Sequence, residues 1–490
     1  SANALGFSGT FTNSSTGTLN VNENLTRPNA TTNAGLILIA SGKTFTNSGS
    51  MTISTTTGKI KDIITNGNFT NSGTLTFDTV TPATDALGFT GTFTNTGTLA
   101  VNQNLTRANA TIFNGTSIAI AASKTFTNSG TFTHTSGAVS GAGTLTNSGT
   151  YAYNGGSIGS IINNQGTMHV SAAMSPAANS LNSGVLNVNT GVTFTIPTGF
   201  VFTGTINLNG SGTLANAANL ANNTNAILNL GTSSTVGATL AAATFTTGAA
   251  LSGIIQFQLL NGSTLTISSG NATTGVNGSG GLGLKIVNGI ANINSSFSGN
   301  GAVTLESSSA TLNLLSGSTL SMTGGITTNA GTINIETASS FDFSKVTGAG
   351  NTGTINLNRA TIASSGALSG AAGSKLNIGT TTSGSAATAT AFTTPSTITG
   401  IRQINLLTSG TVFTATQAVT SLDGVSGVGL TIGAGTHAKI SNTFSGTGTV
   451  NIANTGTLSL LSGASFSTGA ITNNSGGIIN VESVGFNATL

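Results

Sequence analysis

Apolar and polar residues alternate along this chain in short runs, and the runs recur. In Thr44-Phe45-Thr46 the phenylalanine faces one way and both threonines the other, the two-residue period of a half-buried strand. The same run, Phe or Leu followed by Thr-Asn, opens at Phe11, Phe45, Phe69, Phe93, Phe126 and Leu145, usually followed by Ser/Thr-Gly-Thr and a further apolar residue. Asn and Gly are expected to supply the turn after each strand, because both tolerate positive φ at low cost. A related signal, Gly-Thr-apolar-x-apolar, continues toward the end of the chain, at 204–208, 331–335 and 448–452. The signals are commonly spaced by about 17 to 26 residues, a solenoid coil length with loops of differing size.

Two longer repeats enclose these units. Residues 5–31 read LGFSGTFTNSSTGTLNVNENLTRPNAT, and residues 87–111 read LGFTGTFTNTGTLAVNQNLTRANAT, a block of about 81 residues duplicated with two residues deleted in a turn. A second duplication of about 147 residues pairs 204–208 with 353–357, Phe245 with Phe392, Gln256 with Gln403, 314–317 with 460–463, and 334–336 with 480–482. Insertions fall in turns while strands are kept, as stacked coils allow. The expected organisation is a solenoid over 1–160 containing the duplicated block, connecting coils over 161–203, repeat copy 1 over 204–352 and copy 2 over 353–490, in one continuous rod.

A strand with one apolar face must bury it, and a single short coil cannot do so alone. Stacking aligns Phe, Leu, Ile and Val in internal ladders, and Asn at equivalent turn positions can stack in hydrogen-bonded ladders too. The fold class expected is therefore all-β, a right-handed parallel β-helix (β-solenoid) of roughly 20 irregular coils, right-handed being the default for parallel connections. At about 4.8 Å per coil this gives roughly 100 Å. A β-sandwich array or a propeller is disfavoured by unequal coil lengths and missing blade signals. The tandem T-N-S-G-T-L-T coils resemble right-handed β-helical bacterial surface proteins, namely filamentous haemagglutinin-like adhesins and autotransporter passenger regions. The resemblance implies an extracellular or cell-surface location. The sequence shows neither a C-terminal membrane-barrel translocator nor an N-terminal secretion cap, in which it departs from that family.

Composition narrows the partners. Only 4% of residues are charged, against roughly 25% in soluble domains, and the helix formers Glu, Lys, Arg, Gln and Met are scarce. The formal net charge is +3 from 12 basic and 9 acidic residues, so the pI near 9.4 reflects a small difference. Basic residues are scattered, with only Lys59 and Lys61 close together, which leaves no footprint for nucleic acid or anionic membrane. No apolar run reaches the roughly 18 to 20 residues of a membrane helix, and the scarcity of Tyr and Trp argues against the girdles of a membrane barrel. The opening Ser-Ala-Asn-Ala suits a mature end left after removal of a signal peptide. Near-zero charge favours self-association.

The ends suggest with what. Residues 477–490 stop in mid-repeat, and the first coil lacks the predecessor that its copy at Leu87 has in 73–86. Neither end reads as a polar cap. The expected partner is a second copy of the chain, in a head-to-tail homopolymer forming an extracellular filament or sheath. The residues expected to carry this self-assembly interface are Leu5, Phe7, Phe11, Leu19 and Val21 on one side, with Ile478, Ile479, Val481, Val484, Phe486 and Leu490 on the other. The alternative is an adhesin or passenger segment that contacts glycans or proteins of a cell surface through long loops, with Tyr151 and Tyr153 as candidate contacts.

Little chemistry is legible, and no catalytic residue, cofactor or metal is expected. A carbohydrate-active β-helix would need converging carboxylates. The nine present are Glu23, Asp62, Asp78, Asp85, Glu306, Glu336, Asp342, Asp423 and Glu482. Asp78 and Asp85 are close enough to meet but read as turn caps, and the pair Glu336/Asp342 becomes Glu482/Asn487 in the second copy. His134, His169 and His437 stand apart and read as outward strand residues. The run 278–283 (GSGGLG) matches a dinucleotide glycine pattern without a following helix and reads as a loop, like 424–429. Outward Thr could order water on an ice-binding face, but β propensity explains it more simply. Asn-x-Ser/Thr sites such as Asn24, Asn29, Asn104 and Asn109 are numerous enough to arise by chance.

Overall fold

The structure, a computed structural model, describes residues 6–54, 58–62, 66–78, 86–220, 225–233, 239–336, 340–358, 361–362, 366–380 and 386–482. The chain forms two compact units, Ser1–Leu220 with Ser233–Leu240, and Ala221–Thr232 with Ala241–Leu490. In both, short strands stack in parallel on strands one coil away, and helix is confined among the described residues to three short 3₁₀ turns. This is the all-β solenoid that the alternation predicts.

In the first unit, one sheet runs over eight strands from Phe11–Asn13 to Ser157–Ile158, and another over six from Leu105–Arg107 to Val201–Phe202. The reason is visible in Thr44–Asn47, where Phe45 and Asn47 are buried while both Thr residues are only half covered. Phe45, Phe69 and Phe93 occupy one register and stack face to face, 5.7 and 5.6 Å between centroids. Burying each ring stabilises the stack by about 1.5 to 3 kcal/mol.

The asparagine ladder also forms, and it faces inward. Asn47 Nδ2 donates to Asn71 Oδ1 at 2.7 Å, and Asn71 to Asn95 at 2.7 Å. A second series runs Asn128, Asn147, Asn164 and Asn182 with spacings of 2.8, 2.7 and 2.6 Å. The turn chemistry differs from the expectation. Neither Asn47, Asn71 and Asn95 nor Gly49, Gly73 and Gly97 has positive φ. Glycine is required by crowding instead: a Cβ on Gly73 would lie 2.0 Å from Gly49 O, and one on Gly97 2.0 Å from Gly73 O.

In the second unit, an eleven-stranded sheet runs from Thr244–Thr246 to Ile471–Asn473, beside five-stranded sheets ending at Ser465–Ser467 and Ile478–Val481. Phe245 and Phe392, matched in sequence, lie at equivalent buried positions of their strands. A different asparagine ladder forms here, from the middle of strands such as Thr332–Ile335. Its Ile333 and Ile335 are fully buried, so Asn334 between them lies on the other face of the sheet. Asn313, Asn334, Asn356, Asn377 and Asn405 each donate to the asparagine one coil back, at 2.7 to 2.8 Å.

Candidate functional site

The duplicated LTR motif builds a feature that the scattered distribution of Lys and Arg concealed. Arg27 and Arg107 end the strands Leu25–Arg27 and Leu105–Arg107 with an inward side chain, and both are fully buried. Arg107 donates to the carbonyls of Leu87 (2.8 Å), Phe89, Gly91 and Ala110 (3.2 Å), and its guanidinium lies over the Phe89 ring. Arg27 does the same toward Phe7 O (2.8 Å), Gly9 O and Ala30 O (3.0 Å), beneath the Phe7 ring. Each arginine thus holds the extended segment that precedes the first strand of its block. The signal in the sequence was the repetition of Leu-Thr-Arg, its Arg four positions before a strand Thr.

The two copies differ in what covers them. Phe89 is fully buried, edge-on to Phe69 of the coil before it at 6.3 Å and to Phe93 at 6.5 Å. Phe7 is 48% exposed. The next residues of the expected interface are graded: Phe11 and Leu19 are half-buried, and Val21 is buried. At the other side Ile478 and Val481 are 47% and 55% exposed, and Ile479 is half-buried. Ile479 and Val481 pair with Leu458 and Leu460, which are buried at 0% and 2%, so the half-buried Ile479 and the exposed Val481 both face the core direction. Leu5, Val484, Phe486 and Leu490 lie outside the described residues.

The polar candidates are mostly engaged in local structure. Glu23 pairs with Lys43 at 2.8 Å, and that hydrogen bond and charge hold its carboxyl below the usual value. Glu306 pairs with Lys285 at 3.3 Å, and Asp423 with Arg402 and the Thr447 N–H. Asp342 accepts from Ser344 N and Oγ, capping a 3₁₀ turn. Glu336 is buried and Glu482 exposed. Asp78 is half-buried; Asp85, Asn487 and the Asp62 side chain are outside the described residues. Among the described residues, no group of three or more His, Asp or Glu is placed to hold a metal ion. The run 278–283 makes a tight turn closed by a Ser279–Leu282 bridge and leads into a strand, and 424–429 repeats it through Val425–Val428.

Two expectations are overturned. Tyr151 and Tyr153 are core residues, not loop contacts, at 0% and 1% exposure. His134 is buried as well, because the strand Thr131–His134 places it in register between Phe113 and Tyr153. Its Nδ1 lies 2.9 Å from the Tyr151 hydroxyl and its Nε2 3.3 Å from Gly137 O. The carbonyl can only accept, so Nε2 carries the proton and Tyr151 donates to Nδ1. Burial pushes the His134 pKa down and that of Tyr151 well up. His169 and His437 are half-buried on the outward face, as expected.

Parallel coils, continuous side-chain ladders and a duplicated arginine clamp define a β-solenoid repeat protein. No protein-family model matches the chain, and no curated protein matches it. Among solved structures, a crystal structure of a TibC-catalysed hyper-glycosylated TibA fragment is 12% identical over 97% of this chain and 95% of that one, with a TM-score of 0.10. A score that low supports no inference about fold or role.

Proposed function

We propose that the chain is a non-catalytic structural subunit of an extracellular filament or sheath, assembled by head-to-tail stacking of solenoid coils. The observation that carries this reading is the exposure of core-facing residues on the strand Ile478–Val481, with Val481 at 55% where its neighbour in register, Leu460, is at 2%. Such a surface pairs with another strand edge far more readily than with solvent. The engagement of most described carboxylates in ion pairs or caps is consistent with a structural role. Low charge removes the repulsion that would keep copies apart.

Negative-stain electron microscopy of the full chain beside Val481→Glu tests the reading. Long fibres from the first and single particles from the second are expected, since a carboxylate at a buried coil junction would be desolvated without a partner. Single particles from the unaltered chain would overturn the filament reading and favour a surface-attachment element.

A further inference from the structure

The chain contains a template for the contact that a filament requires. The strands Phe93–Asn95 and Thr98–Val101 are the internal copy of Phe11–Asn13 and Thr18–Val21. They are covered by the coil before them, strands Asn68–Asn71 and Thr74–Phe77, with Phe69 beside Phe93, Asn71 beside Asn95 and Phe77 beside Val101. The covering coil reads Phe-Thr-Asn-Ser-Gly-Thr-Leu-Thr-Phe over 69–77. Residues 471–481 read Ile-Thr-Asn-Asn-Ser-Gly-Gly-Ile-Ile-Asn-Val, the same pattern with two extra residues in the turn between Asn473 and Ile478. Turn length does not set the register. The turn from Asn13 to Thr18 is two residues longer than that from Asn95 to Thr98, yet Asn13 still donates to Asn33 at 2.7 Å.

Resting on the filament reading above, we infer that strands Ile471–Asn473 and Ile478–Val481 of one copy cover strands Phe11–Asn13 and Thr18–Val21 of a second. The register is parallel, with Asn473 on Asn13 and Val481 on Val21. The hydrogen-bond chemistry is specific. Within the template, Asn71 Nδ2 donates to its own turn at Gly73 O (3.3 Å), to Asn95 Oδ1 (2.7 Å) and to Thr98 O (2.9 Å). Asn473 is exposed, and its Nδ2 already donates to its own turn at Gly477 O at 3.1 Å. The second copy supplies the remaining acceptors, Asn13 Oδ1 and Thr18 O. The apolar fit follows the same template. Ile479 and Val481 cover Leu19 and Val21 as Leu75 and Phe77 cover Leu99 and Val101. Ile471 meets Phe11 and the exposed Phe7, which Arg27 holds in the position that Arg107 gives Phe89. The four strands contain no charged residue, so contact desolvates no ion. The two faces are different surfaces of one molecule, so each copy can present one face while accepting the other, a heterologous contact.

The absence of cysteine makes register directly testable. Thr12 and Thr472 are exposed and lie between the inward residues of their strands, so in the inferred register they become neighbours. Their Cα atoms would sit about 5 Å apart, within disulfide reach, whereas Thr32, one coil further, would be roughly 10 Å from Thr472. Thr12→Cys chain is mixed with Thr472→Cys chain and oxidised, in parallel with a Thr32→Cys and Thr472→Cys mixture. Fibres of the unaltered chain are imaged alongside. A disulfide-linked dimer from the first mixture, lost in the second, is the expected result. Fibres without that dimer, or equal dimer from both mixtures, overturn the inferred register while leaving the filament reading intact. Absence of fibres together with absence of dimer overturns both.

Discussion

The Arg107 guanidinium lies 4.1 Å from the centre of the Phe89 ring, and Arg27 lies 4.3 Å from that of Phe7. Geometry is shared, but Phe89 is fully buried and Phe7 is 48% exposed. The carbonyls of 87, 89 and 91 that Arg107 binds belong to a segment whose pairing, among the described residues, is a single parallel bridge from Leu87 to Ile60, so the arginine supplies donors that a ladder would otherwise provide. Removing a buried charged donor leaves those acceptors dry, and Arg107→Met is expected to cost about 3 kcal/mol. Arg27→Met should cost distinctly less, since water reaches the neighbourhood of Phe7. Lysine should not rescue Arg107, because a point charge cannot span the same acceptors. Denaturant midpoints of the variants check the order, and equal losses at the two positions would contradict it.

The inward asparagines are expected to tolerate aspartate worse than alanine. Asn71 presents Nδ2 to three oxygens, Gly73 O, Asn95 Oδ1 and Thr98 O, and Oδ1 to the Asn47 amide. Asn71→Ala removes one rung and leaves Asn47 short of an acceptor, a loss of about 1 to 3 kcal/mol. Asn71→Asp puts a carboxylate oxygen against three acceptors in a dry site, so its loss should exceed that of alanine and grow as pH rises and the carboxyl ionises. Thermal melts of both variants from acid to neutral pH decide it. Identical curves would mean that the ladder is not a stabilising network.

The architecture was legible because one two-residue period and one coil-length repeat agree: Phe45, Phe69 and Phe93 had to share a face and a register. The buried polar residues were less legible. Alternation makes the residue two before or after an inward Phe inward as well, so Phe132 places His134 inside. Yet polarity alone suggested an outward residue. Tyr151 and Tyr153 are hidden for a similar reason, since a hydroxyl at the core needs acceptors that the stacking of coils supplies, here His134 for Tyr151 and Ala173 O, beside Gly156 O of its own coil, for Tyr153. Arg27 and Arg107 were invisible because no carboxylate in the sequence announces them. The carbonyls that they bind are main-chain groups, which carry no sequence signature.

Glycines divide into two kinds with different expected costs. Gly97 has ordinary φ, but a Cβ there would stand 2.0 Å from Gly73 O, a backbone atom that cannot move without shifting the coil. Gly317 has φ of +78° and open space around it. Gly317→Ala should therefore cost about 1 kcal/mol, the strain of a left-handed alanine. Gly97→Ala should cost several times as much and loosen the stack on both sides. Hydrogen exchange provides the check: for Gly97→Ala, faster exchange at Thr98 and Thr74, whose N–H groups bond to Gly73 O and Gly49 O, is expected. Unchanged protection there would show that the coils spread without penalty.

His134 makes the first unit sensitive to mild acid. Its pKa is lowered in the folded chain from the ordinary value of 6.5 by burial. Between the lowered value and 6.5, the unfolded chain binds a proton that the folded chain refuses, so stability falls as pH drops through this window. Above 6.5 both states are neutral and the full stability remains. His169 and His437 are lowered by burial too, His437 also by Lys439, and add slope of the same sign. Glu23, lowered from 4.5 by Lys43, acts only at more acid pH. His134→Phe should keep the stack between Phe113 and Tyr153, lose about 1 to 3 kcal/mol by leaving the Tyr151 hydroxyl without its acceptor, and flatten the pH dependence. Denaturant midpoints at about pH 7.5 and about pH 5 measure this, on either side of an ordinary histidine pKa. The difference between the two should shrink in the variant without vanishing. A variant as acid-sensitive as the parent would mean that the buried imidazole takes up its proton in the folded state at no cost.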